Sequence, residues 1–138
     1  MDLENEGGPL VNWASFSQAR AELGANFVRI LGYFREDGVK SVDQIEGAMR
    51  AHNAAALVLP AHTLKGESRQ FGADPLGELA EEIEDIARAC VERQDTPERA
   101  LAHVVRLRPL FESTLSLLER EANPLVERRQ VFGRRPVA

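Results

Sequence analysis

The residues best suited to chemistry lie close together between positions 62 and 69. His62, Lys65, Gly66 and Arg69 occur at helical spacing, and an advance of about 100° per residue places all four on one outward strip of a helix. A neutral imidazole offers a nucleophilic nitrogen near neutral pH, and a phosphoryl group bound to it can be passed on. His62 is therefore chemically suited to carry a phosphoryl group.

The neighbours of His62 fit the same chemistry. Lys65, one turn along the helix, can offset the charge of a phosphoryl group, and Arg69 extends the positive surface by another turn. Gly66 costs about 1 kcal/mol relative to alanine on an exposed helix, which makes sense if the missing side chain lets a partner approach the imidazole. An ordinary solvated helix face is the alternative, and the spacing alone favours that alternative.

The segment from Ala61 to Ala73, AHTLKGESRQFGA, carries a specific resemblance. It resembles the phosphohistidine motif of histidine-phosphotransfer (HPt) domains, written H-x-x-K-G-x-S and followed by a Phe/Leu/Val-Gly-Ala corner. The flanking pattern from about Val11 to Glu121 is also similar to this family. The resemblance implies a phosphorelay protein that shuttles a phosphoryl group between His62 and receiver-domain aspartates of response regulators, with a histidine kinase or hybrid kinase as a further partner.

The resemblance also implies roles for individual residues. His62 matches the phosphorylated histidine, with transfer through Nε2, and Lys65 matches the lysine near the phosphoryl group. Gly66 matches the small residue that permits partner approach, and Ser68 matches the small residue beneath the helix. Glu84 matches a position on the neighbouring helix whose side chain can hydrogen-bond the other imidazole nitrogen and leave Nε2 free. For Glu84 an ordinary exposed carboxylate is the alternative.

Two positions depart from the family pattern. Glu67 stands where a small polar residue is common, so it places a negative charge beside the site, and Asn53 replaces a frequent aspartate cap. Neither change removes an essential atom. Glu67 either weakens phosphate binding or selects a partner with a matching basic residue, and the sequence leaves both open.

Helical periodicity extends through almost the whole chain, and strand signals are nearly absent. The sequence predicts an all-α fold, an antiparallel up-down-up-down four-helix bundle with extra N-terminal helices packed at one end. The predicted bundle helices cover residues 42–52, 53–72, 75–93 and 97–121.

Local signals predict where the earlier helices begin and end. Asn12 or Ser15 is expected to cap a short first helix that bears Trp13 and Phe16, a region that belongs either to the core or to a docking surface. A second helix is expected to follow Gly24. It should end near Asp37-Gly38, because glycine readily adopts the left-handed conformation that closes helices.

Further signals concern the bundle helices themselves. Ser41 and Gln44 have the spacing of a capping box and predict a helix start. Asn53 is expected to cap the helix that carries His62, and Pro60 predicts a kink or a late start of that helix. Thr96 is expected to cap the last helix, with Pro97 at its first position.

Composition limits the chemistry further. The single cysteine, Cys90, excludes an internal disulfide and is expected to be a buried thiol. No P-loop, kinase glycine-rich loop or catalytic-loop motif occurs, so no ATP binding or autokinase activity is expected. His52 and His103 lack metal-ligand spacing. We therefore expect no cofactor of its own, with Mg²⁺ bound on the partner receiver domain.

The 138 residues fit one domain with a substantial core. The sequence predicts three segments. Residues 1–10 form a flexible acidic lead-in, residues 11–122 form the HPt helical bundle, and residues 123–138 form a basic, flexible tail. An acidic N-terminus and the lack of a long apolar run predict a cytoplasmic protein without a membrane partner. A monomer is expected, as is usual for HPt domains of this size.

Two other functions stay open. The first is a non-phosphorylated adaptor of the same fold that binds and blocks a receiver or a histidine kinase, although the complete set of His62, Lys65 and Gly66 argues against it. The second is a nucleic-acid-associated helical protein that acts through the basic tail. The net charge of -5 and the presence of only four arginines in that tail argue against nucleic acid as a partner.

Overall fold

The computed structural model describes residues 9–122, which form five α-helices and no strand. The predicted all-α fold is therefore confirmed. Two 3-10 turns, Gly24–Asn26 and Pro97–Ala100, precede the second and the last helix. The helices are α1 Trp13–Leu23, α2 Phe27–Arg50, α3 Ala55–Gln70, α4 Asp74–Glu92 and α5 Leu101–Ala122.

Helices α2 to α5 form the bundle. Each packs against the next, and α5 also packs against α2, which closes the ring of neighbours. Connections over 51–54, 71–73 and 93–100 are short, and short connections favour antiparallel neighbours. This arrangement agrees with the predicted up-down-up-down bundle.

The first bundle helix departs from the prediction. α2 runs unbroken from Phe27 to Arg50, so the predicted helix end at Asp37-Gly38 and the capping box at Ser41 are wrong. Gly38 is buried against Phe111 of α5, where a Cβ would clash with the phenyl ring. The glycine thus allows two helices to approach closely, and from residue 9 onwards a single α-helix precedes the bundle.

The helix that carries His62 is capped at its N-terminus by the side chain of Asn53. Asn53 Oδ1 accepts a hydrogen bond from the Ala56 amide at 3.1 Å, which confirms the predicted cap. Pro60 lies buried inside α3, so the predicted late start is wrong. Proline removes the backbone donor to the Ala56 carbonyl, but Ala56 is exposed and water can bond that oxygen.

The start of the last helix also differs from the prediction. The Thr96 side chain makes no capping bond to the backbone, because its hydroxyl contacts the Glu98 carboxylate. Pro97 opens a 3-10 turn, as its fixed backbone angle favours, and α5 begins only at Leu101. The predicted Thr96 cap is therefore wrong.

A continuous chain of phenyl rings forms the centre of the core and reaches the end of α3. Neighbouring ring centroids lie 5.2 to 5.8 Å apart in the order Phe16, Phe27, Phe71, Phe34 and Phe111. Edge-to-face and tilted pairs at such distances add to the stabilisation from burial. Phe71 directly follows the last residue of α3, so the core holds the helix that carries His62 at its C-terminal end.

The short helix α1 packs on α2 and α3. Asn12 caps it, because its Oδ1 accepts a hydrogen bond from the Ser15 amide at 3.2 Å. The backbone N–H of Asn12 also donates to the Gly72 carbonyl at 2.7 Å. Gly72 has a positive φ of 77°, a conformation that favours glycine. The predicted corner after α3 is thus tied to the N-terminal helix.

Residues 1–8 and 123–138 lie outside the described residues. Most of the acidic lead-in and the entire basic tail belong to these segments, so the domain boundaries stay a prediction. Cys90 is fully buried, as expected. Between residues 9 and 122, none of the helices combines the length and apolar content that a membrane crossing requires.

Candidate functional site

His62 lies near the middle of α3, and its side chain is 56% exposed. One turn away, a Cβ placed on Gly66 would have no atom within 4 Å, so the surface beside the imidazole is open. Leu59, on the preceding turn, is 71% exposed. The surface around His62 therefore combines a polar ring, an open backbone and an apolar side chain.

Glu84 of α4 lies beneath this surface at the centre of a cluster of donors. Its side chain is only 4% exposed, and its Oε2 lies 3.0 Å from His62 Nδ1. Lys65 Nζ lies 2.7 Å from the other oxygen, Oε1. The predicted contact between Glu84 and the second imidazole nitrogen is therefore present, and Glu84 is not an ordinary exposed carboxylate.

Arg88 completes the cluster, although it was not among the predicted site residues. Its Nε and Nη2 donate to Glu84 Oε2 at 3.0 and 2.7 Å. A signal was present in the sequence, because Glu84 and Arg88 are four residues apart and such pairs meet on a helix surface. The imidazole and the guanidinium thus contact the same carboxylate oxygen.

The charge of Glu84 determines which imidazole nitrogen carries the proton. Burial alone would raise the pKa of Glu84, but the contacts from Lys65, Arg88 and His62 outweigh it and lower the pKa to about 2. An ionised carboxylate can only accept hydrogen bonds. Nδ1 of His62 must therefore be the donor, and in the neutral ring Nε2 keeps its lone pair.

Arg69 lies on the same side of α3 but takes different partners. Its guanidinium pairs with Glu81 of α4. The side-chain stem packs over Gly77, where a Cβ would lie 2.9 Å from Arg69 Cγ. Arg69 therefore lies apart from the cluster around Glu84.

Ser68 and Glu67 occupy other sides of α3. Ser68 is fully buried beneath the helix. Burial, together with the hydrogen bond and negative charge of Asp37 on α2, raises the pKa of Glu67 to about 7. Glu67 therefore lies on the flank facing α2, opposite the Glu84 contacts, and its charge near neutral pH is smaller than the sequence suggests.

The remaining predicted bystanders lie apart from the site. His52 Nδ1 lies 2.9 Å from Glu98 Oε2, and His103 Nε2 lies 3.5 Å from Glu82 Oε2. Within residues 9–122, no group of three or more His, Cys, Asp or Glu side chains is arranged to hold a metal ion. Phe16 belongs to the core at 1% exposure, whereas Trp13 is 40% exposed.

Comparison with known proteins identifies the family and the fold. The family model for the Hpt domain matches residues 29–121, which include His62 and Glu84. The crystal structure of histidine-containing phosphotransfer protein B (HptB) from Pseudomonas aeruginosa PAO1 has the same fold, with a TM-score of 0.72 and 24% sequence identity. This match covers 83% of the present chain and 95% of HptB. No curated protein matches the chain.

Two thirds of the chain match the family model, and the bundle brings the motif on α3 together with a carboxylate on α4. Hpt proteins generally interact with kinases and with receiver domains of response regulators. The chain belongs to the Hpt domain family, the histidine-phosphotransfer domains of two-component signalling.

Proposed function

We propose that this protein carries a phosphoryl group on Nε2 of His62 and exchanges it with receiver-domain aspartates of response regulators. The supporting observation is the 3.0 Å contact between His62 Nδ1 and the buried Glu84 carboxylate. Because an ionised carboxylate can only accept, this contact favours the proton on Nδ1 and leaves the free lone pair on Nε2 of a side chain that is more than half exposed. A phosphorylated partner can reach such a nitrogen.

In the proposed step, the Nε2 lone pair attacks the phosphorus of a partner's aspartyl phosphate. The Nε2–P bond forms while the bond between phosphorus and the aspartate oxygen breaks, and the aspartate leaves as a carboxylate. Because the ring keeps its Nδ1 proton, it takes on positive charge as the new bond forms. The Glu84 carboxylate stabilises that developing charge, so its contact is stronger in the transition state than in the resting ring.

Lys65 and Gly66 serve the same step in different ways. The Lys65 ammonium belongs to the cluster around Glu84, and we infer that it offsets part of the phosphoryl charge. Gly66 leaves open space beside the ring, which suits the close approach of a receiver domain. Positioning and electrostatics across a transient complex supply most of the catalysis.

The phosphoryl group and the metal both come from partners in this proposal. The protein acts as a phosphotransfer intermediate without ATP or a cofactor of its own, and Mg²⁺ belongs to the receiver domain. A histidine kinase or hybrid kinase supplies phosphoryl groups to the phosphorelay. The carrier itself acts as a monomer. Reversal of the same step delivers the phosphoryl group to a second receiver aspartate.

Phosphotransfer from a radiolabelled receiver domain tests the proposal. Wild-type protein is expected to gain acid-labile, base-stable label, and His62→Gln is expected to gain none. His52→Gln is a matched control, because His52 also places Nδ1 2.9 Å from a glutamate carboxylate but lies outside the cluster. Label on His62→Gln would overturn the assignment, and receiver binding without label on any form would favour the blocking adaptor.

A further inference from the structure

We propose that Arg88 is a positioning residue for phosphotransfer, one that holds the Glu84 carboxylate against the His62 ring and thereby sets the ring's tautomer. This inference rests on the function proposed above. It concerns a residue outside the motif on α3 that contacts the same carboxylate oxygen as the imidazole. The argument depends on how Glu84 is held.

Both donors of Arg88 converge on one oxygen. Nε and Nη2 lie 3.0 and 2.7 Å from Glu84 Oε2, the atom that accepts from His62 Nδ1. Two donors of one planar guanidinium that converge on a single oxygen restrict the position of that oxygen. Lys65 holds Oε1, but a single ammonium contact leaves rotation about that contact free. Arg88 therefore orients the oxygen that bonds the imidazole.

The burial of Glu84 separates this contact from an ordinary surface pair. Arg69 and Glu81 also form an ion pair between α3 and α4, but those side chains are 44% and 42% exposed, so water solvates both partners. Glu84 is 4% exposed. A buried carboxylate that loses a partner is left poorly compensated. Its remaining donors must then rearrange, and the imidazole is one of them.

Nitrogen-15 NMR of the histidine rings in the 138-residue chain measures the tautomer directly. Spectra are recorded at alkaline pH, above the ordinary range of imidazole titration, and the His62 signals are assigned by their loss in His62→Gln. Wild-type protein is expected to carry the His62 proton mainly on Nδ1. Arg88→Gln is expected to move a measurable fraction of it to Nε2.

The same variants are then compared in phosphotransfer from a labelled receiver. Arg88→Gln is expected to slow transfer about three- to tenfold, the range for loss of one partly exposed charge-assisted contact. Arg88→Lys keeps the charge with fewer fixed donors and should give an intermediate tautomer ratio and rate. Arg93→Gln is the control, because Arg93 is exposed and follows the same helix. It should match wild type in both measurements.

The outcomes separate this inference from the proposed function. An unchanged tautomer ratio in Arg88→Gln overturns the inference even if transfer slows, because the loss would then arise from contact with the partner or the phosphoryl group. Failure of the wild-type protein to accept label would overturn the proposed function as a phosphoryl carrier. The tautomer ratio is measured without any phosphoryl donor, so that result would not affect it. If Arg88→Gln does not fold, Arg88→Lys decides, and an unchanged ratio and rate in that variant overturn the inference.

Discussion

Gly38 of α2 lies directly against the phenyl ring of Phe111 on α5, closer than any Cβ would allow. Both residues are buried, and the contact is part of the packing between the first and last helices of the bundle. The α2 backbone can approach the ring at this point because position 38 has no side chain. The contact therefore depends on glycine for space and not for an unusual backbone angle.

Gly38→Ala is expected to destabilise the bundle. Overpacking a buried site costs about 1 to 3 kcal/mol, and the gain in helix propensity from glycine to alanine returns only about 1 kcal/mol. The net loss should lower the melting temperature measured by circular dichroism. Gly32→Ala is the control, since a Cβ at Gly32 of the same helix would meet no atom within 4 Å. Gly32→Ala should be neutral or stabilising, and equal effects of the two changes would contradict this account.

Glu84 should make stability depend on pH in the acid range. Its pKa is lowered from 4.5 to about 2 in the folded protein, because the three donor contacts outweigh burial. A lowered pKa contributes stability that is complete above the unfolded pKa and is lost as pH falls towards the folded pKa. The contribution, at most about 3 kcal/mol, should disappear between about pH 5 and pH 2.

Thermal unfolding of wild type and Glu84→Gln across this range checks the prediction. The variant lacks the titrating carboxylate, so its melting temperature should fall less steeply from pH 5 to pH 2. Exposed Glu78 of the same helix provides the control variant, Glu78→Gln, which should follow the wild-type curve. Parallel curves for all three proteins would show that Glu84 does not carry this pH dependence.

The sequence predicted the site better than it predicted the helix boundaries. The motif around His62 resembles that of HPt domains, and this resemblance implied the contact with Glu84 that the structure shows. Arg88 has no place in that motif. The importance of Arg88 depends on the burial of Glu84, a tertiary property that helical spacing alone does not reveal.

The errors in the fold have a common physical origin. Gly38, Ser41 and Thr96 carry local signals for a helix end or start, but in the structure each serves another purpose. Gly38 makes room for Phe111, and Ser41 is buried inside α2. Thr96 contacts the side chain of Glu98. Tertiary packing can override local propensity wherever one residue type serves two purposes.

Glu67 should give the opposite pH dependence from Glu84. Burial, with Asp37 next to it, raises the pKa of Glu67 to about 7, so the folded protein binds a proton there more tightly than the unfolded chain does. Stability should therefore fall as pH rises from about 4.5 to 7. Glu67→Gln removes this loss and should stabilise the protein at pH 8 by about 1 to 2 kcal/mol, with solvent screening allowed for.

Chemical denaturation at pH 4.5 and pH 8 measures the effect of Glu67. Wild type and Glu67→Gln should be similar at pH 4.5 and should differ at pH 8, where the free energy of unfolding of the variant is larger. Asp37→Asn should give a smaller gain at pH 8, because it removes the neighbouring charge but leaves the burial of Glu67. A difference between wild type and Glu67→Gln that is equal at both pH values would show that the raised pKa of Glu67 does not cause this pH dependence.

Substitution of Gly66 should raise the stability of the protein while it slows phosphotransfer. A Cβ at this position meets no atom within 4 Å, so Gly66→Gln should gain up to about 1 kcal/mol of stability from helix propensity. The same side chain would occupy the space through which a receiver approaches His62. Misplacement of the reacting atoms by about 1 Å can cost on the order of a hundredfold in rate, so transfer should slow by roughly tenfold or more.

Gly32→Gln should gain similar stability on α2 and keep the wild-type rate, because Gly32 lies outside the strip around His62. Unimpaired transfer in Gly66→Gln would mean that the receiver does not approach across Gly66.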